Sequence, residues 1–472
     1  MKTTYKCYSN FVIHNLAGIR LPLNKFFVFV LLFFGAGCSA KVSRVEHAGV
    51  FPGQLKEKTA AVLPGRPVTL TECIDIALAN NLNLRALEIK KRLASLDRSI
   101  AFGNFLPAVE LQFSYRATDN PQLRRTQGGL FQLSDQRLAQ TAIETLQPIF
   151  LPQAWYLYDM RRKGEDISSL VLQRTRQLIT LEVTSRYFSS LSLKEAADYI
   201  NIATESAEAM LRETKAFERE GLVMSSQRQQ AEVLVMESRL ARDNVARLLT
   251  QNKADLLSAM GLSPFAEMEL KQEMPFSPAG ESSLEEDVLE ALINRLELHI
   301  DDRTLEIRKQ ETRKAIAAFL PRIIGFGSFT HSSDSFLEYA GMWSYGISTI
   351  LSVFDGFQNL FGYRAARERE REAFVKREQT CMMIMIEVLR ARHRVEQVTD
   401  SMKIATISLA VAEERFRETE ALWREGMIQL SEAMDAVTQR EQARLILSMS
   451  RFQEQVALAT LTDVLGRTKQ EF

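Results

Sequence analysis

Two periodicities divide the chain. In Val109-Glu110-Leu111-Gln112-Phe113-Ser114-Tyr115 apolar and polar residues alternate strictly, and Trp343-Ser344-Tyr345-Gly346-Ile347-Ser348 does the same, continuing to Leu351 and Val353. Period two predicts a strand with one apolar and one polar face. Leu138 to Phe150 alternates only partly and Ile323-Ile324-Gly325-Phe326-Gly327 loses the register, so these read as less regular partner strands. Elsewhere the period is helical: Val233, Met236 and Leu240, or Phe452, Val456 and Ala459, form narrow apolar stripes with charges on the remaining faces. No Gly or Pro interrupts Glu165–Glu220, Leu222–Met260, Tyr363–Glu425 or Met427–Leu465. At about 1.5 Å per residue these runs predict helices on the order of 60–85 Å long, paired through turns at Gly221 and Gly426 and suited to coiled-coil packing.

The pattern occurs twice. Val68-Thr69-Leu70 through Asn81 lies on Ser282-Ser283-Leu284 through Arg295, and the same offset of 214 carries Phe105-Leu106-Pro107 onto Phe319-Leu320-Pro321. Further along, Arg219-Glu220-Gly221 meets Arg424-Glu425-Gly426 and Gly261 meets Gly466 at an offset of 205. The difference is placed in a surface loop, because Asp119–Gln136 is longer than His331–Gly341 and loops tolerate insertion. Each half reads as helix, strand, loop, strand, very long helix, glycine turn and returning helix, with Thr69 and Ser283 as N-caps of the opening helices.

The first forty residues change the picture. Lys2, Lys6, Arg20 and Lys25 precede the apolar run Phe26–Phe34, then small residues and Cys38. Nine apolar residues are too few for a spanning helix but suit an export signal. Gly35-Ala36-Gly37-Cys38 resembles a bacterial lipobox, which makes Cys38 a candidate acylated first residue; ordinary cleavage after Cys38-Ser39-Ala40 is the alternative. Beyond the signal no window approaches a membrane-spanning helix, so the exported chain is either soluble or enters a membrane through strands.

Charge and candidate chemistry narrow the function. Lys+Arg and Asp+Glu both total 59, which leaves no global basic field for nucleic acid. Cys7, Cys38, Cys73 and Cys381 form no CxxC pair, and the five histidines show no metal-ligand spacing. Met382-Met383-Ile384-Met385-Ile386 reads as helix packing, because consecutive methionines point in different directions whereas metal ligands converge. No phosphate loop or nucleophile elbow is present, so no catalytic residue, cofactor or metal site is expected.

Four strands cannot close a barrel in one chain, and lipid does not tolerate unpaired strand edges, so oligomerisation is expected. The duplication, the Phe-Leu-Pro exits at Phe105 and Phe319, the Leu146-Gln147-Pro148-Ile149-Phe150 strand end with its looser echo Leu351–Phe354, and the tips Gly221-Leu222-Val223 and Gly426-Met427-Ile428 together resemble the TolC-like outer-membrane efflux proteins over residues 68–467. The resemblance implies a mainly α fold with a small β part. Its tandem repeats form a long coiled-coil α-helical barrel, and each protomer of a homotrimer adds four strands to a twelve-stranded transmembrane β-barrel. The expected organisation is a signal peptide (1–38), an N-terminal linker (39–67), a first repeat (68–270), an inter-repeat linker (271–281), a second repeat (282–467) and a tail (468–472).

The family's implied role is a passive conduit across the outer membrane and periplasm in a tripartite efflux pump or type I secretion system. Its implied partners are a periplasmic adaptor (membrane fusion) protein, an inner-membrane pump of RND, ABC or MFS type, and outer-membrane lipid. The resemblance places the adaptor-contact tips at Gly221, Leu222, Val223, Ser225, Gly426 and Met427. It places a periplasmic gate at Trp423, Glu432 and Asp435, whose carboxylates, three positions apart, share a helix face and would ring a pore in three copies. Ile428 stands where the family expects a basic residue, so the tip closes by other contacts. A glycine that merely ends a helix and a solvated acidic face are the plainer alternatives for these sites. An exported coiled-coil scaffold lipoprotein without a channel is the alternative function.

Overall fold

The computed structural model describes residues 44–276, 282–425 and 427–467; Cys38 and Gly426 lie outside them. The chain divides into two units, residues 1–57 and 58–472, and the division falls within helix α1 (Arg44–Val62). That helix, with Pro52 inside it, occupies much of the stretch expected as a linker.

The duplication governs the element lengths. In the first repeat α2 (Leu70–Asn80, 11 residues) leads into α3 (Leu82–Gly103, 22 residues), and in the second α6 (Leu284–Asn294) and α7 (Leu296–Ala317) have the same 11 and 22 residues. Both opening helices start with a complete capping box: Thr69 Oγ1 accepts from Glu72 N and Ser283 Oγ from Glu286 N, while each glutamate accepts from its N-cap N–H. The long helices are α4 (Pro152–Arg219, 68 residues) and α8 (Gln358–Arg424, 67 residues), each about 100 Å at 1.5 Å per residue. They return through α5 (Ser225–Ala259) and α9 (Leu430–Val464), 35 residues each. Both long helices exceed the expected spans because they run through Gly164 and Gly362. A helical glycine is disfavoured by only about 1 kcal/mol, which tertiary packing overrides.

The strands β1 (Ala108–Ala117), β4 (Arg137–Phe150), β5 (Arg322–Ser332) and β6 (Gly341–Ile350) form one antiparallel sheet in the order β1-β4-β5-β6. Here β5 is continuous over 11 residues, although its glycines hide the alternation, and β6 stops at Ile350, short of the expected Val353. The nine-residue difference between the repeats falls in this region, where a hairpin of β2 (Gln122–Thr126) and β3 (Gly129–Ser134) fills the longer loop. All four connections to helices leave one end of the sheet, and the two loops lie at the other.

The apolar core sits around the joint of the first repeat, where Tyr187, Phe188, Val183, Leu256, Leu257 and Met260 are buried with Cys73, Ala77 and Leu84. A smaller cluster, including Ala291, Leu298, Ile384, Val388 and Leu465, serves the second repeat. Val68 pairs with the segment after α5, where its N–H donates to Glu269 O (2.8 Å) and its carbonyl accepts from Lys271 N (2.9 Å), which closes the first repeat on itself. The Val233, Met236 and Leu240 stripe is exposed in the single chain, whereas Phe452 and Ala459 are buried. Met382, Met383 and Met385 are also exposed; only Ile384 of that run packs inside the chain.

Candidate functional site

The sheet register sorts side chains into two faces. Val109, Leu111, Phe113 and Tyr115 on β1 lie opposite Thr145, Ile143, Thr141 and Ala139 on β4. The same face continues through Phe329 on β5 to Trp343, Tyr345 and Ile347 on β6. It is apolar and bare, with Tyr345 85% and Trp343 74% exposed. The opposite face is mostly polar, with Glu110, Gln112, Ser114, Gln140, Glu144, Ser328, Thr330, Ser344 and Ser348; Leu146, Ile324 and Met342 interrupt it, and Phe326 lies across Gly346. One apolar face against lipid and one polar face against water is the arrangement of a membrane barrel wall. β1 and β6 keep unpaired edges, and since they run in opposite directions, β6 of one copy can extend β1 of another antiparallel.

At the far end of the α4–α5 hairpin Gly221 adopts φ +76°. Its neighbour Leu222 donates to Phe217 O at 2.9 Å, the reversal that closes a helix on a left-handed residue. Met427 N donates to Leu422 O at the same 2.9 Å in the second repeat. Leu222, Met224 and Met427 project bare, Ser225 is exposed where it opens α5, and Val223 and Ile428 are half-buried. Two ion pairs tie the hairpin shut, Arg228 with Glu218 (2.9 Å) and Lys215 with Glu232 (3.3 Å), and hydrogen bonds from Arg228 and Lys215 hold the Glu232 carboxyl below its ordinary value. Trp423 is half-buried in the last turn of α8, and Glu432 and Asp435 are exposed at the start of α9.

The joint between the short helices carries residues that sequence reasoning missed. In the first repeat Asn81 accepts from Asn83 N (2.8 Å) and Leu84 N (3.3 Å) and donates to Ala259 O (2.8 Å). In the second repeat Arg295 holds this place; its Nη1 reaches Val464 O, the counterpart of Ala259 O, at 3.4 Å. The guanidinium also binds Glu297 and Glu387, each at 2.8 Å, and Arg174 of the first repeat joins Glu297 and Asp463, each at 2.6 Å. Burial opposes ionisation of Glu297, but the Arg295 hydrogen bond, its backbone hydrogen bond and the charges of Arg174 and Arg295 prevail and hold its carboxyl below the ordinary value. The replacement of Asn81 by Arg295 at the 214 offset was the available signal. Nearby, burial and the charges of Glu72 and Glu273 push the Cys73 thiol up to about 12, as suits an inert core residue.

Among the described residues no group of three His, Cys, Asp or Glu side chains is placed to hold a metal ion, and no helix is long and apolar enough to cross a membrane.

Residues 289–467 match the family model described as outer membrane efflux protein. No curated protein sequence matches the chain. Among solved structures, a membrane protein from Pseudomonas aeruginosa is similar at a TM-score of 0.74 and 20% identity, covering 84% of this chain and 90% of that one. The Campylobacter jejuni CmeC outer membrane channel gives 0.75 and 16% identity over 85% and 87% of the two chains. The open state of the Neisseria gonorrhoeae MtrE outer membrane channel gives 0.71 and 19% identity over 84% and 89%. The second repeat thus matches the outer membrane efflux protein family, and the chain as a whole has the fold of these outer membrane channels.

Proposed function

We propose that this chain is the outer-membrane channel protomer of a tripartite efflux or secretion assembly, and that three copies close into one conduit across the outer membrane and periplasm. The carrying observation is the two-faced sheet with bare edges. In lipid every backbone N–H and C=O needs a partner, so the edges of β1 and β6 must be covered, and twelve strands from three copies form a closed, even-numbered barrel. Helix surfaces support the same assembly. Leu82, Ile89, Leu93, Leu96 and Ile100 on α3 and Ile404, Ile407 and Val411 on α8 form exposed stripes at coiled-coil spacing, as does the Val233–Leu240 stripe, and neighbouring copies supply their partners. The scaffold alternative gives no role to a sheet with an apolar face.

The projecting Leu222, Met224 and Met427 favour docking of a periplasmic adaptor on the hairpin tips, through which the channel meets an inner-membrane pump. Glu432 and Asp435, exposed on one face near the tip, would ring the narrow end in three copies and attract cations. Fractionation followed by unheated gel electrophoresis tests the channel, which should run as a detergent-resistant trimer from the outer membrane; a soluble monomer would favour the scaffold. For the gate, Glu432→Ala with Asp435→Ala should weaken cation selectivity in a planar bilayer, and unchanged selectivity removes these residues from it.

A further inference from the structure

The border between sheet and helix in the second repeat carries a feature the channel reading leaves unused. Below Ile350 the odd-numbered positions of the apolar face continue as Leu351 and Val353, the latter 91% exposed. Three bare rings step on from there: Phe354 and Phe357 are 5.4 Å apart, and Phe357 and Phe361 are 6.5 Å apart. Phe357 holds a left-handed backbone (φ 67°), uncommon for a bulky residue. The Arg364 guanidinium lies over the Phe361 ring at 5.8 Å, with Arg367 one turn further along α8. Both arginines are exposed, and neither pairs with a carboxylate among the described residues.

The duplication supplies an internal control. At the offset of 205, Arg364 and Arg367 correspond to Asp159 and Arg162 of the first repeat, which form an ion pair at 2.8 Å. The second repeat has replaced the acid by a second cation on the same face of the helix. Two guanidiniums one turn apart repel unless an anion lies between them, and a guanidinium binds phosphate through paired N–H donors. Their depth, just inside an aromatic border continuous with the apolar sheet face, is where a lipid headgroup lies.

We propose that Arg364 and Arg367, beneath the Phe354–Phe357–Phe361 rings, bind the phosphate of an acidic phospholipid in the periplasmic leaflet, its acyl chains lying against the rings and Val353. The proposal rests on the membrane-channel reading above.

The test reconstitutes the purified full-length protein in nanodiscs of phosphatidylcholine mixed with phosphatidylglycerol and counts retained lipids by native mass spectrometry. Wild-type protein should retain phosphatidylglycerol several-fold over phosphatidylcholine, and excess inorganic phosphate should leave that preference intact. Arg364→Asp restores the pairing of the first repeat without removing a surface charge partner, so it should keep the trimer and abolish the preference, while Arg162→Ala should keep both. Equal retention of the two lipids by wild type, or an unchanged preference in Arg364→Asp, overturns the proposal. So does loss of the trimer in Arg364→Asp where wild type shows no preference, which would make a second copy the occupant. Insertion and conductance without lipid preference defeats this site alone, whereas failure to enter nanodiscs defeats the channel reading with it.

Discussion

A Cβ on Gly261 would lie 2.7 Å from the carbonyl carbon of Asn80 and 3.1 Å from Asn81 N, whereas one on Gly221 would meet nothing within 4 Å. Both residues have positive φ, but only Gly261 also packs against backbone. Gly221→Ala should therefore lower stability by about 1–2 kcal/mol through backbone strain alone. Gly261→Ala adds a collision worth about 1–3 kcal/mol more, a difference that thermal unfolding of the two variants would resolve. Glu297 gives a second residue-scale test. Its folded value lies below its unfolded one, so its ionised form stabilises the fold above the ordinary carboxylate range, and that contribution fades as pH falls through the lowered value. Glu297→Gln should lose about 1–2 kcal/mol at neutral pH and show a shallower loss of stability on acidification. Gly221 was legible in the sequence because it stands between two long uninterrupted runs. Arg295 was not, because an arginine at a helix joint looks like a surface charge until the fold brings Glu297, Glu387 and Val464 O around it.

Among the elements, the paired helices were read directly, since apolar stripes and long runs without glycine or proline are local signals. Their extent was underestimated because Gly164 and Gly362 look like breaks from sequence, whereas a single glycine costs a long helix only about 1 kcal/mol. β1 announced itself by strict alternation. β5 did not, because Gly325 and Gly327 stand at apolar-face positions opposite Ile347 and Tyr345 and leave the pattern blank where a neighbouring strand supplies the side chains. The face assignment predicts opposite outcomes for adjacent residues of one strand. Leu111→Arg places a charge on the lipid face at a cost of about 2–4 kcal/mol near mid-bilayer and should abolish outer-membrane insertion. Gln112→Arg turns toward water and should insert normally while changing conductance; equal outcomes in a membrane-fractionation assay would contradict the register.

For the whole molecule, the central claim is that a four-stranded sheet with two bare edges and helices with unpartnered apolar seams complete themselves only in company. The sequence pointed to that incompleteness through the count of strands, and the fold gives it a geometry in the free edges of β1 and β6. The number three rests on the family likeness, so it calls for direct observation. Single-particle imaging of the detergent-purified protein is the most direct measurement. A three-fold tube in which β6 of each copy pairs antiparallel with β1 of the next in a twelve-stranded belt is the predicted result. Isolated protomers whose sheet edges stay open, or an assembly that leaves β1 and β6 unpaired, would contradict it.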